Sequence, residues 1–155
     1  DLSVSPLWLN TYVAAIANGG TMYKPRVASR VVNAQQQTIQ SFDAESMGTL
    51  PFSASVIREM KEAMKETTIS GTAKILNDLP VRVAAKTGTA EVVKGKSINA
   101  LFTAFAPADN AELALTILVE GSAENQGYSI RVANGFLRWY FIDRLQPPPT
   151  PATDP

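Results

Sequence analysis

Lys86-Thr87-Gly88-Thr89 puts an ammonium, a hydroxyl, a bare backbone and a second hydroxyl in consecutive places. The apolar lead-in over residues 81–85, with β-branched Val81 and Val83, reads as a strand running into a sheet. Side chains alternate along a strand, so Lys86 and Gly88 share one side and Thr87 and Thr89 the other. A glycine inside a strand weakens it and often marks close approach of a ligand to the backbone. The composition narrows the chemistry. With no His, a Ser-His-Asp triad and most zinc sites are excluded. With no Cys, there is neither a thiol nucleophile nor a disulfide framework. Acid–base work must use Lys, Tyr, Asp or Glu, and neither a metal nor a cofactor is expected.

The elements that must hold this run follow from pattern. Residues 81–90 are predicted as the central strand of a sheet. Residues 98–106 and 112–120 are the next two strands, with turns at Gly95 and at residues 107–110. Successive strands with short connections imply an antiparallel meander. Leu113, Leu115, Ile117 and Val119 share one face, and Ala114, Thr116 and Leu118 on the other are also mostly apolar. Helices are therefore expected on both faces.

Ser5-Pro6 opens the first helix, Leu9, Tyr12, Val13 and Ile16 give it an apolar face, and Asn18-Gly19-Gly20 stops it. Residues 53–68 form the second, capped by Ser53 or Ser55, with Val56, Ile57, Met60, Ala63, Met64 and Thr67 on its apolar face. Its charged face, with Arg58, Lys61, Glu62, Lys65 and Glu66, is expected in solvent. Residues 128–144 form a third, whose stripe of Ile130, Ala133, Phe136, Leu137, Tyr140 and Phe141 covers the sheet. Residues 23–33 are predicted as one edge strand because Pro25 cannot donate to a ladder, with residues 38–42 as its hairpin partner. Residues 43–51 and 68–80 are predicted as loops, the latter with at most one helical turn. Residues 146–155 carry five prolines and read as a Pro-rich disordered tail, leaving 1–145 as the folded part.

The chain has 155 residues, enough for one domain or a large part of one, and 45% hydrophobic residues support a real core. Fourteen basic and 14 acidic residues cancel, and without a basic stripe no nucleic acid is expected as a partner. No apolar run approaches the ~20 residues of a membrane span, and no signal peptide is visible. The first residues, Asp1-Leu2-Ser3, begin without Met, and the chain reads as a fragment.

Lys-Thr-Gly is the third signature run of the serine penicillin-binding proteins and class A β-lactamases. Here Lys86-Thr87-Gly88-Thr89-Ala90-Glu91 resembles the K-T-G-T-A-[EQ] run of the class B, high-molecular-mass penicillin-binding proteins. Ser5-Pro6-Leu7 with Ala14-Ala15-Ile16-Ala17-Asn18-Gly19-Gly20-Thr21 is similar to that family's segment ending in "YAAIANGGT". Ile69-Ser70-Gly71-Thr72-Ala73 resembles its "GTG/GTA" step, in a loop that in the family wraps towards the K-T-G strand. Residues 99–107 are similar to its "AWFVGFAP" strand. The resemblance runs in order through nearly all of residues 1–145, and fits the elongation-type and division-type transpeptidases equally.

The resemblance implies an α+β fold, part of the serine β-lactamase/D,D-transpeptidase-like fold. It implies a peptidoglycan D,D-transpeptidase, C-terminal part, that crosslinks stem peptides through a serine acyl-enzyme and is inhibited by β-lactams. Lys86 and Thr89 would be catalytic. Lys86 would favour the substrate's terminal carboxylate and polarise hydroxyls near the serine, and the Thr89 N–H would form half of an oxyanion hole. Thr87, Gly88 and Thr89 would bind substrate: one or both threonines through the carboxylate, Gly88 by leaving room for an added strand.

Two features depart from the family. There is no S-x-x-K, so the nucleophile is missing, and the one S-x-N, Ser97-Ile98-Asn99, follows K-T-G instead of preceding it and reads as coincidence. Ala85 also stands where the family usually has Gly. The expectation is one wall of an active site, inactive alone, in a protein that continues N-terminally with the missing motifs, a further domain and a membrane anchor. That protein would work on the extracytoplasmic (periplasmic) face of the bacterial membrane, with the N-terminal remainder, a glycan polymerase and other elongation or division proteins as partners. Competing readings are a β-lactamase or penicillin-sensing receptor, for which neither Glu91 nor Glu120 can be assigned as base from sequence, and a non-catalytic scaffold.

Overall fold

The computed structural model describes residues 4–123 and 127–145; the predicted tail over 146–155 lies outside the described residues. Local chemistry sets the helix ends. The Ser5 hydroxyl accepts from the Trp8 N–H at 3.3 Å and caps helix α1 (Pro6–Ala17), where Pro6 forgoes a bond it would not have made. At its far end the Asn18 side chain accepts from the Gly20 and Thr21 N–H groups, while Gly19 and Gly20 take φ of 92° and 122°. Ser53 caps helix α2 (Ala54–Ile69) by accepting from Val56 N–H, and Ser55 hydrogen-bonds to Ser53.

Strands β5 (Ala84–Val93), β6 (Ser97–Ala106) and β7 (Leu113–Ser122) form the predicted antiparallel meander, in the order β5-β6-β7. The 3₁₀ turn Lys74–Asp78 leads into β5, and helix α3 (Tyr128–Phe141) follows β7 before a short 3₁₀ turn, Asp143–Leu145. Both faces of the sheet are covered, as its two apolar faces require. On one, Ala84 and Phe105 pack with Val13 and Ile16 of α1 and Met60 and Met64 of α2. On the other, Ala85, Phe102 and Leu115 pack with Leu76 and with Ala133 and Leu137 of α3. Phe102 and Phe105, one in each layer, are fully buried. Each such burial contributes about 1.5–3 kcal/mol.

Three expectations are corrected. Residues 23–33 are not one strand: β1 (Thr21–Tyr23) and β2 (Arg30–Val32) are separate, either side of Pro25. Residues 43–51 are not all loop: β4 (Ser46–Thr49) pairs antiparallel with β1. The predicted hairpin of β2 with β3 (Thr38–Ser41) does form. Finally, β5 starts at Ala84 and is an outer strand of its sheet, not the central one; β6 is central. Its lead-in reads as doubly covered because Ala84 and Ala85 are each buried in a different layer.

Candidate active site

β5 carries the ammonium and hydroxyl run along the rim of the sheet. Its register sets Lys86 opposite Thr103, Thr87 opposite Phe102, Gly88 opposite Leu101 and Thr89 opposite Ala100. Alternation puts Lys86 and Gly88 on the face of Ala84, towards α1 and α2, and Thr87 and Thr89 on the face of Ala85, towards α3. Lys86 and Thr89 are exposed, and Thr87 and Gly88 half-buried. The four predicted residues thus stand together on one short stretch of rim, divided between its two faces.

The Lys86 Nζ donates to the Thr87 carbonyl at 2.5 Å. The Thr87 hydroxyl lies 3.3 Å from that of Thr72, so the loop before β5 does reach the K-T-G strand. Thr72, Thr87, Leu101, Gly127, Ser129 and Ile130 line a cleft of about 230 Å³ on the α3 side. A Cβ on Gly88 would sit 3.5 Å from Leu101 Cβ, an ordinary contact. The sheet itself therefore does not demand glycine there. Two roomier surface clefts, of about 500 and 520 Å³, share Lys24, Pro25 and Glu45. They contain none of the K-T-G residues, and it is the chemistry of the run, not volume, that makes β5 the candidate site.

The other flagged residues have structural tasks. Asn99 of the S-x-N run accepts from Gly121 N–H at 3.1 Å, tying β6 to the end of β7. Glu91 accepts from Gly95 N–H at 2.9 Å and braces the hairpin turn. Ala85 is fully buried under α3, so the methyl that departs from the family pattern is part of the core. Among the described residues no group of His, Cys, Asp and Glu could hold a metal ion, and no helix is long and apolar enough to cross a membrane.

Spacing alone missed the ties that hold β5 in place. Lys65, expected in solvent, is only 9% exposed and bonds Asp109 at 2.6 Å and Glu62 at 2.9 Å. The hydrogen bond to Asp109, then that to Glu62, holds the ammonium above its ordinary range although desolvation pulls it down. The same bond holds the Asp109 carboxyl below its ordinary range. Asp109 lies in the β6–β7 turn, so this pair fastens α2 to the sheet. Thr68, one turn on and 3% exposed, brings its hydroxyl to 2.8 Å from the Val83 carbonyl. Helical periodicity counts Lys65 as surface because its partner is far away in sequence.

The penicillin binding protein transpeptidase domain model matches residues 2–138. Penicillin-binding protein 2A of Bacillus subtilis is 32% identical over 143 residues, which cover 81% of this chain and 20% of that protein. The peptidoglycan D,D-transpeptidase MrdA of Acinetobacter baumannii is 27% identical, with 97% of this chain and 24% of that protein covered. The structure of penicillin-binding protein A from M. tuberculosis, as its imipenem acyl-enzyme complex, superposes with a TM-score of 0.69 at 27% identity, covering 88% of this chain and 32% of that one. The chain therefore spans about a fifth to a quarter of the length of these two curated relatives.

Proposed function

The chain belongs to the penicillin-binding protein transpeptidase domain family, and from that premise we propose that it forms one wall of a peptidoglycan D,D-transpeptidase site. The observation that carries the reading is the position of Lys86-Thr87-Gly88-Thr89 on the outer strand of a sheet held by helices on both faces. An outer strand presents backbone N–H and C=O groups to which an extended peptide can add. A peptidoglycan stem peptide would lie along β5, with Gly88 keeping that side clear of a side chain.

In this reading Lys86 supplies a cation beside the cleft and favours the substrate's terminal carboxylate. Thr87, already paired with Thr72 through their hydroxyls, and Thr89 donate to the same carboxylate. The Thr89 N–H faces the carbonyl oxygen on which negative charge develops as the serine oxygen attacks. The terminal D-Ala then leaves, and an amine of a neighbouring strand displaces the serine. A β-lactam follows the first step and stays attached. The nucleophilic serine comes from a part of the polypeptide outside these residues, since no S-x-x-K occurs among them. Residues 1–145 are the C-terminal part of the transpeptidase domain and 146–155 a Pro-rich tail. The protein works at the extracytoplasmic face of the membrane, held by an anchor outside this chain, beside a glycan polymerase and other elongation or division proteins. Two likenesses support the transpeptidase reading: to the relative named a peptidoglycan D,D-transpeptidase, and to the acyl-enzyme structure.

The test is intact mass spectrometry of the full-length protein after incubation with a penicillin. A gain of one drug mass that persists for hours is expected. Rapid release of hydrolysed drug would make the protein a β-lactamase, and no covalent gain from a folded sample would leave a non-catalytic scaffold.

A further inference from the structure

We propose that Thr68 is a positioning residue for this acyl transfer, fixing where the open edge of β5 begins; the role rests on the transpeptidase reading above. Thr68 is 3% exposed in the last turn of α2. Its hydroxyl lies 2.8 Å from the Val83 carbonyl and 2.9 Å from the Lys65 carbonyl, so one proton faces two acceptors. One residue before Val83, the Arg82 carbonyl accepts from Ala108 N–H at 2.8 Å. Adjacent carbonyls are thus tied to opposite sides, Arg82 towards the β6–β7 turn and Val83 towards α2.

Successive peptide groups of a strand alternate in direction. The backbone groups of Ala85, Thr87 and Thr89 therefore turn the same way as Val83, away from β6. The Thr87 carbonyl is consistent with this, since it accepts from the exposed Lys86 ammonium. Thr68 has two consequences for the site. It occupies the outward carbonyl of Val83, the one before that of Ala85, so a peptide adding as a strand can pair from Ala85 onwards but not at Val83. Together with Ala108 it also clamps the backbone just before Lys86, so the run from Lys86 to Thr89 is held at a fixed position along the rim.

The test uses the full-length protein and a penicillin, with acylation resolved into drug affinity and the acylation rate constant. Thr68→Val keeps the side-chain shape and removes the hydroxyl. It is expected to slow acylation about tenfold with affinity within threefold, because one positioning hydrogen bond is lost. Thr68→Ser should restore the rate to within twofold. Thr116→Val, which removes a part-buried hydroxyl bonded to Asn10 and Thr103 away from the β5 rim, should lower Tm with the rate unchanged. A Thr68→Val protein acylated at the wild-type rate overturns the role. So does slowing by Thr68→Val and Thr116→Val in proportion to their losses of Tm, since Thr68 would then be merely structural. If Thr68→Val does not fold, Thr68→Ala must show the same tenfold loss, and a wild-type rate in it overturns the role equally. A wild-type protein that is never acylated sinks the transpeptidase reading itself, and is recognisable because no variant is needed to see it.

Discussion

The two ends of β5 share one strand and one neighbour, yet have opposite surroundings. Ala84 and Ala85 are fully buried, one in each layer, and the carbonyl just upstream is held by Thr68. Lys86 and Thr89, immediately beyond, are exposed, and the outer side of the strand carries no further strand among the described residues. The buried end has what stability requires: apolar side chains and paired backbone. The exposed end has what recognition requires, namely polar side chains and a rim. On the proposed reading, the contrast means that the site would gain its precision from its buried neighbour, because a reactive run on a loose strand could not hold donors to within a fraction of an ångström.

If that division of labour is right, mutations at the two ends should separate stability from activity. The largest effect is expected in the core: Phe105→Ala, at a fully buried position in the layer of Ala84, should cost about 3–5 kcal/mol in chemical denaturation. Lys86→Ala should do the reverse, leaving Tm within about 1 °C, a shift worth well under 1 kcal/mol, while lowering the acylation rate by about 100-fold. A large loss of Tm in Lys86→Ala would show that the exposed end also holds the fold together. Asn99→Ala should lose about 1 kcal/mol by unpairing the Gly121 N–H and leave acylation within twofold. A catalytic collapse there would mean that Ser97-Ile98-Asn99 is a working motif after all.

The smallest effect concerns the Lys65–Asp109 tie and its pH dependence. The Asp109 carboxyl is lowered from 3.8, so its contribution is present above that value and is lost as pH falls through the depressed folded value. The Lys65 ammonium is raised from 10.5, so its contribution is present below that value and is lost as pH rises through the folded value. The stability difference between wild type and Asp109→Asn should therefore be flat across neutral pH and shrink at both extremes. A difference that grows on acidification would contradict the pairing.

Much of this arrangement was legible in the chain, for local reasons. Ser5-Pro6 and Ser53 are helix starts because a hydroxyl can cap at those points, and β6 and β7 show as apolar runs between turn residues. The run Lys86 to Thr89 stood out because cation, hydroxyl and glycine coincide at the end of such a run. What was not legible depends on contacts distant in sequence. β4 escaped because Ser46, Met47, Gly48 and Thr49 are all exposed and gain their pairing from Thr21 to Tyr23. The outer position of β5 is a matter of strand order, which no local pattern encodes. Lys65 and Thr68 sit at ordinary helical spacings, and only folding brings Asp109 and Val83 to them.

The most direct test of the central claim, that these residues form a wall around a nucleophile they do not contain, is to locate the bound drug. The full-length protein is acylated with a penicillin and digested, and the drug-bearing peptide is sequenced by mass spectrometry. A drug mass on a serine outside residues 1–155 is the expected result, and a drug mass on a serine within them, such as Ser70 or Ser97, would contradict it.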